Sequence, residues 1–162
     1  MELHQIQPQN DDEKWMLEAL KEAQKAFKKD EVPIGAVVVK EGRVIARGHN
    51  QVEMLRDATA HAEMLAITAA ANSVENWRLE GAKLYCTLEP CSMCFGAMVL
   101  SRVEELVYGA PDLRHGACGS WVDLAAEPHP IHQLKVRGGV LEEPARWMIQ
   151  SFFKKKRVEK SL

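Results

Sequence analysis

Leu88-Glu89-Pro90-Cys91-Ser92-Met93-Cys94 is the stretch around which the chain is organised, together with Ala60-His61-Ala62-Glu63 upstream of it. The two stretches contain three side chains that bind soft metals and one carboxylate. A catalytic zinc site needs this set of groups: three protein ligands and an acid–base residue. The sequence therefore says more about chemistry than about substrate.

Cys91 and Cys94 lie three residues apart at the predicted start of a helix. Residues at this spacing share a helix face, so both sulfurs can reach one ion. The positive end of a helix dipole favours the thiolate form, which is the form that binds zinc. Taken alone, the pair is also compatible with a redox-active Cys-x-x-Cys motif.

His61 and Glu63 stand in the predicted first turn of an earlier helix, for which Thr59 is the expected N-cap. From there His61 can project toward the neighbouring element as a third zinc ligand. Glu63 can take a proton from water whose pKa zinc has lowered and pass it to a substrate. An isolated glutamate in a first turn more often only stabilises the helix dipole.

Three protein ligands leave a position for water, whereas a structural zinc site is closed by a fourth ligand. Cys86 stands inside a predicted strand, where we expect it to pack in the core. Cys118 and His115, in a glycine-rich loop, are the alternatives that could close the site. No second paired spacing accompanies them, which favours the open, catalytic site.

The chain has 162 residues, the length of one domain, and is 46% hydrophobic and 27% charged, as soluble globular proteins are. No apolar run reaches the ~20 residues of a membrane span. The first residues lack the pattern of a signal peptide. We therefore expect no membrane association and a cytoplasmic location, where the four cysteines stay reduced.

Charge is unevenly distributed along the chain. The net charge of −2 does not by itself indicate nucleic-acid binding. Residues 150–162, however, carry five basic side chains against Glu159, a local charge of +4 that leaves −6 for the remainder. The net charge of the whole chain therefore conceals a basic C-terminal segment.

Apolar periodicity and turn residues predict strands that alternate with helices after an opening hairpin. The predicted helices cover residues 11–29, 60–71, 91–100 and about 142–158. The predicted strands cover residues 33–39, 44–46, 83–88, 105–109 and part of 134–140. The first helix is expected to be capped by Asp11 or Asp12, and the hairpin to turn at Glu41-Gly42. This order predicts an α/β layered sheet.

The chain resembles the cytidine deaminase-like superfamily and, within it, the bacterial tRNA-specific adenosine deaminases. His61-Ala62-Glu63 followed by Pro90-Cys91-Ser92-Met93-Cys94 matches the signature of zinc nucleobase deaminases. The resemblance spans roughly residues 12–158. Its further matching stretches are Glu31–Ala36, His49-Asn50, Ser101–Val103, Tyr108–Ala110, Gly116–Ser120 and Phe152-Phe153 with the basic tail.

The resemblance implies a three-layer α/β/α cytidine deaminase-like fold with a mixed five-stranded sheet. It implies one deaminase domain over residues 1–162, with a basic C-terminal helix at about 142–158. It implies one Zn²⁺ per subunit held by His61, Cys91 and Cys94, with Glu63 as the proton shuttle. It further implies a homodimer that converts the wobble adenosine of a tRNA anticodon stem-loop to inosine and releases ammonia.

The resemblance also implies substrate contacts: Asn50 to the flipped base, Asp112 to the ribose of the preceding nucleotide, and Phe152, Phe153 and Arg157 beside the anticodon loop. Aromatic rings and cations are the groups that grip unstacked RNA. The two phenylalanines are equally compatible with a packed helix whose lysines are solvated, and Asn50 with a simple turn. The helix that contains Met93, Phe95, Met98 and Val99 is compatible with a dimer face or with core packing.

Three positions depart from the family pattern. Ala58 stands where a proline is usual, which leaves the loop that enters the site less rigid. Ile131 replaces the asparagine of an Asn-His pair and cannot make a polar RNA contact. Arg114 replaces a lysine and keeps its charge.

Two other functions share part of this pattern. A deaminase of a free base or nucleotide, such as guanine or cytosine, would have the same zinc motif and would need no basic tail. A non-catalytic RNA-binding subunit with structural zinc would lack Glu63, which is present here.

Overall fold

The structure, a computed structural model, describes residues 2–161 and contains one five-stranded sheet covered by helices. The strands are β1 (Gly35–Lys40), β2 (Arg43–His49), β3 (Lys83–Leu88), β4 (Glu105–Ala110) and β5 (Lys135–Arg137). The helices are α1 (Asp11–Lys28), α2 (Val52–Leu55), α3 (Ala62–Val74), α4 (Ser92–Leu100) and α5 (Glu142–Lys160). Met1 and Leu162, the two ends of the predicted domain, lie outside the described residues.

The strand order in the sheet is β2-β1-β3-β4-β5. β1 pairs antiparallel with β2 and with β3, whereas β3, β4 and β5 run parallel. The predicted mixed five-stranded sheet, including its opening hairpin, is confirmed. Parallel neighbours need crossover connections, and α4 forms the one between β3 and β4.

Both faces of the sheet are buried, as the apolar runs of its central strands require. Alternate residues of β1 point to opposite sides. Val37 and Val39 pack with Met16 of α1, while Ala36 and Val38 join the core beneath α3 and α4. The architecture is therefore three-layered, with α1 and α5 on one face and α3 and α4 on the other.

Gly35 lets α1 lie directly on the start of β1. A Cβ atom at this position would lie 2.1 Å from the backbone oxygen of Ala19 and 2.4 Å from the backbone nitrogen of Ala23. Because no side chain fits there, the glycine serves helix–sheet packing.

Some predicted helix ends were wrong by a few residues. The side chain of Asn10, and not that of Asp11 or Asp12, caps α1 by accepting from the backbone N–H of Glu13. α5 continues to Lys160, two residues beyond the predicted end, because no proline or glycine stops it. Across residues 2–161, no helix combines the length and apolarity needed to cross a membrane.

Arg137 of β5 joins three elements through ion pairs. Its Nη1 lies 2.6 Å from Oδ2 of Asp12 in α1, and its Nε lies 2.5 Å from Oε1 of Glu105 in β4. The hydroxyl of Tyr85 in β3 also donates to Asp12, at 2.8 Å. The hydrogen bond from Arg137 is the main reason that the pKa of Asp12 is lowered.

Candidate active site

The N-termini of α3 and α4 meet at one edge of the sheet. β3 ends at Leu88, and Glu89-Pro90 leads the chain into α4, where Cys91 is the N-cap. His61 occupies the equivalent N-cap position of α3. Both positive helix ends therefore point at the same place, which favours negatively charged ligands there.

His61, Cys91 and Cys94 form a compact cluster whose ligand atoms all lie within 4.8 Å of one another. Nδ1 of His61 is 3.6 Å from Sγ of Cys91 and 3.5 Å from Sγ of Cys94. Tetrahedral zinc, with bonds of ~2.3 Å to sulfur and ~2.0–2.1 Å to nitrogen, places such atoms about 3.6 Å apart. The side chains thus stand at the separations that one zinc ion requires.

No fourth ligand joins this cluster among residues 2–161. The thiol of Cys86 is buried and donates to the backbone oxygen of Leu88, as expected for a core residue. His115 is exposed, and Cys118 is tied by its backbone N–H to Glu89. The alternative of a closed structural site with Cys118 or His115 is therefore not supported, and the three-ligand set fits catalytic zinc.

The cluster stabilises negative charge on sulfur. The pKa of Cys91 is lowered to about 3, chiefly by a hydrogen bond from the Cys94 thiol and further by His61. That same hydrogen bond raises the pKa of Cys94, whose proton it holds. The pKa of His61 is raised, mainly by its hydrogen bond to Cys91. Thiolate sulfur is the form that binds zinc.

Glu63 lies in the first turn of α3, and only 4% of its surface is exposed. Burial raises the pKa of its carboxyl group, and the nearby His61 and a hydrogen bond with Cys94 oppose that rise. A carboxyl group whose pKa is raised above its usual value holds a proton more readily, which suits a group that must accept and then release one during a reaction.

The loop before α3 orients His61. Thr59 was predicted to cap the helix, but its N–H and hydroxyl both donate to Asp57, at 2.8 and 2.7 Å. The helix therefore begins after His61. The pKa of His61 is raised mainly by Cys91, and the nearby backbone of Ala58 adds a smaller contribution in the same direction.

Asn50 is buried at the end of β2, 5% exposed. Its Nδ2 donates to the carbonyl of Val32 at 3.2 Å, and its Oδ1 accepts from the N–H of Val52 at 3.3 Å. The side chain is therefore locked in one orientation. One of its two amide hydrogens has no acceptor among residues 2–161 and is available to a ligand.

Asp112 belongs to the loop that follows β4, and its side chain is turned toward the loop itself. Its Oδ1 accepts from the N–H groups of Arg114 and His115, at 3.0 and 3.3 Å. Its own N–H donates to Oε2 of Glu89 at 2.9 Å. The position of Asp112 is thus set by Glu89, a residue that the sequence analysis did not single out.

Two buried carboxylates, Glu31 and Glu89, hold the loops that border the cluster. Glu31 accepts from the N–H groups of Glu53 and Met54, at 3.1 and 2.7 Å, and so caps the short helix α2 that follows Asn50. The signal was available in the sequence: both glutamates adjoin apolar runs and stand one or two residues before a proline. A buried carboxylate needs partners to be tolerated.

The aromatic pair of α5 divides between core and surface. Phe152 is 3% exposed and packs edge-on against Phe27 of α1, with ring centroids 5.7 Å apart. Phe153 is 42% exposed and lies beside Phe152. The burial of Phe152 favours the packing role for that residue and leaves Phe153 as the exposed ring of the pair.

The basic residues at the end of α5 also differ among themselves. Lys155 and Lys156 pair with Asp30 of the loop after α1 and with Glu159. Lys154 and Arg157 are exposed, and within the described part of the chain neither has an acidic partner. Charges without acidic partners are the ones best placed to meet a phosphate.

The expected dimer face of α4 is mostly core. Met98 is fully buried, and Phe95 and Val99 are 6% and 5% exposed beneath the sheet. Leu100, at the end of the same helix, is 65% exposed and borders a groove of about 350 Å³. Ile131 is 68% exposed in the loop before β5, and Arg114 is exposed in the loop after β4.

The chain is similar to known zinc-dependent deaminases. Residues 9–110 match the model of the cytidine and deoxycytidylate deaminase zinc-binding region. A tRNA-specific adenosine deaminase of Bacillus subtilis (strain 168) is 52% identical over 149 residues, which cover 92% of each chain.

Solved structures agree with this assignment. A chain from a study of A-to-I editing by tRNA:A34 deaminases at the wobble position of transfer RNA is 44% identical, with a TM-score of 0.80, over 83% of this chain and 98% of that one. A guanine deaminase from Nitrosomonas europaea is 27% identical, with a TM-score of 0.73, over 86% of this chain and 83% of that one. The chain therefore belongs to the zinc-binding cytidine and deoxycytidylate deaminase family and, within it, to the tRNA-specific adenosine deaminases.

Proposed function

We propose that this chain hydrolytically deaminates the wobble adenosine of a tRNA anticodon to inosine and releases ammonia. The observation that carries the proposal is the preformed cluster of His61, Cys91 and Cys94 with buried Glu63 beside it. The identity to a tRNA-specific adenosine deaminase over 92% of the chain supports the choice of substrate.

His61, Cys91 and Cys94 would hold zinc, which would act as a Lewis acid and lower the pKa of a bound water toward ~7. We propose that Glu63 accepts the proton of the water that attacks C6 of adenine. The same carboxyl group then gives that proton to the ring nitrogen, takes a second proton from the hydroxyl group added at C6, and passes it to the departing amine, which leaves as ammonia. The burial of Glu63 keeps bulk water away from the transferred proton and raises the pKa of the carboxyl group above its usual value.

Substrate recognition requires an extruded base and a held RNA backbone. Asn50 is locked by Val32 and Val52, so its remaining amide hydrogen can be offered to the base without loss of side-chain entropy. Asp112 is proposed to approach the ribose of the preceding nucleotide. Phe153 and Arg157 supply an exposed ring and a cation beside the anticodon loop, with Phe152 as the support beneath Phe153.

We also propose one deaminase domain over residues 1–162 that works as a homodimer in the cytoplasm. The exposed Leu100, at a groove that Leu124 and Pro128 also line, supports an apolar contact between copies. All four cysteines are free, which suits a reducing compartment. Light scattering of the purified chain tests the dimer, and a monomeric mass at micromolar concentration would contradict it.

The function is tested by incubating the purified protein with a short RNA anticodon stem-loop that bears a wobble adenosine. Free adenine, guanine, cytosine and their nucleosides are incubated in parallel. Inosine in the stem-loop, with the small molecules unchanged, is the expected result. Turnover of a free base beside an inert stem-loop would replace the tRNA assignment by the small-molecule one.

Truncation after Phe153 distinguishes the same two functions by another route. It removes the exposed basic turns of α5 but keeps Phe152 and its contact with Phe27. We expect the fold and zinc content to be retained and activity on the stem-loop to fall at least about tenfold, since phosphate contacts dominate affinity. Circular dichroism and zinc analysis verify the fold, and unchanged activity would favour a small-molecule substrate.

A further inference from the structure

The carboxylate of Glu89 receives four hydrogen bonds from the loop after β4. The N–H groups of Asp112, Cys118 and Ser120 donate to it at 2.9, 3.0 and 3.2 Å, and the hydroxyl of Ser120 donates as well. The residue is 2% exposed. All four donors belong to a segment that begins at Asp112 and ends at Ser120, so one side chain organises the whole segment.

Gly116 shows how closely this segment is fitted around Glu89. A Cβ atom there would lie 2.2 Å from Oε2 of Glu89 and 2.5 Å from the backbone oxygen of Asp112. Only a residue without a side chain allows the loop to close over the carboxylate. The close packing of the loop against Glu89 therefore requires glycine at position 116. An incidental surface contact would not require a glycine.

Glu89 also stands two residues before Cys91. The backbone oxygen of Pro90 accepts from Ala117, and the N–H of Glu89 donates to Ala110. The loop is thus fastened to the same short segment that leads into α4. A displacement of the loop relative to the zinc ligands is resisted at this point.

We propose that Glu89 is a positioning residue for RNA binding, whose carboxylate holds residues 112–120 in the conformation that presents Asp112 to the substrate backbone. The inference rests on the proposed tRNA function. The carboxylate takes no part in proton transfer, because its acceptor positions are directed at the loop donors. Its effect is therefore on substrate binding and not on the chemical step.

The variant that tests this is Glu89→Gln, which keeps the size of the side chain and replaces one acceptor oxygen by an NH₂ group. That group faces N–H donors and cannot bond them. Glu31→Gln is the matched control, because it removes the charge of a second buried carboxylate that holds a different loop. Ser120→Ala is a milder variant that deletes one donor and leaves the carboxylate in place.

Hydrogen exchange of the free protein tests whether Glu89 holds the loop in place, and it requires no activity measurement. Glu89→Gln should accelerate exchange in peptides covering 112–120 and leave those covering 50–57 unchanged, whereas Glu31→Gln should do the reverse. An unaltered exchange rate across residues 112–120 in the Glu89→Gln variant would overturn the proposal that Glu89 holds this loop. If the Glu89→Gln variant does not fold, the Ser120→Ala variant is compared with the wild-type protein in its place. We then expect faster exchange at Cys118 and at position 120.

Kinetic measurements on the anticodon stem-loop then show whether the loop affects substrate binding or the chemical step. If the loop of the Glu89→Gln variant is in the substrate-binding conformation about a tenth of the time, KM should rise about tenfold. The value of kcat should stay within about threefold of the wild-type value. A fall in kcat at constant KM, or loss of zinc, would overturn the positioning role. A wild-type protein that deaminates no stem-loop would refute the proposed function, and the exchange experiment would still decide the anchor.

Discussion

At the scale of the residue, the site joins groups whose properties depend on one another. The thiolate of Cys91 raises the pKa of His61, and His61 in turn helps to lower the pKa of Cys91. Glu63 is buried beside them, where desolvation raises the pKa of its carboxyl group. Ionisable side chains perturbed in this way are characteristic of catalytic sites.

Glu63→Gln should abolish most of the activity without disturbing the site. The amide has the same size and cannot carry the proton, so the rate on the stem-loop should fall about 10³-fold. Zinc content should remain at one per subunit, because the three ligands are unchanged. Inosine formation and metal analysis measure the two quantities. Activity near the wild-type level would exclude Glu63 as the proton shuttle.

At the scale of the element, α5 shows why a run of basic residues cannot be treated as uniform. Its buried side contains Ala145, Met148 and Phe152, which pack on the sheet and on α1. On its exposed side, Lys155 and Lys156 are engaged by Asp30 and Glu159. The helix thus docks through one side and keeps a subset of its charges for another partner.

Removing the charges of Lys154 and Arg157 should weaken RNA binding more than removing those of Lys155 and Lys156. Lys154→Gln with Arg157→Gln should reduce the slope of log affinity against log salt by about 1.4, since each phosphate contact on a single strand contributes about 0.7. The matched double variant at 155 and 156 should change the slope less. Binding of the stem-loop at several salt concentrations measures the slope. Equal effects of the two variants would contradict this division of charges.

At the scale of the whole molecule, Arg137 fastens α1 to the far edge of the sheet. Hydrogen bonds from Arg137 lower the pKa of Asp12. Burial works to raise the pKa of Glu105, but hydrogen bonds from Arg137 and Lys83 lower it overall. A carboxyl group whose pKa is lower in the folded chain stabilises the fold above its unfolded pKa and loses that contribution as the pH falls.

Arg137→Gln should therefore destabilise the protein near neutral pH but not in acid. Charged hydrogen bonds contribute about 1.5–3 kcal/mol each when buried, and partial exposure of Arg137 reduces the expected loss to about 1 kcal/mol. The difference between wild type and variant should be constant from pH 7 down to about 5. It should shrink below the usual aspartate value of 3.8. Denaturant unfolding at pH 7 and pH 3 measures it, and an undiminished difference at pH 3 would contradict the assignment.

Features that depend on local spacing could be predicted from the amino-acid sequence alone. The Cys91–Cys94 pair at a helix start, the hairpin at Glu41-Gly42 and the alternation of strands and helices follow from neighbours along the chain, and they led to the α/β sheet and the zinc ligands. The helix ends were less certain because a competing local bond, such as the one from Thr59 to Asp57, moves the start of a helix by two or three residues.

Contacts between residues that are distant in sequence could be identified only from the folded chain. The sheet order brings His61 within 3.6 Å of Cys91, seats Phe152 on Phe27 and closes the loop over Glu89. These contacts join residues far apart in sequence, and side-chain type alone does not specify them. In the sequence, a glutamate before a proline predicts only the end of a strand. Its carboxylate holds a loop in place only when folding removes it from water and surrounds it with N–H donors.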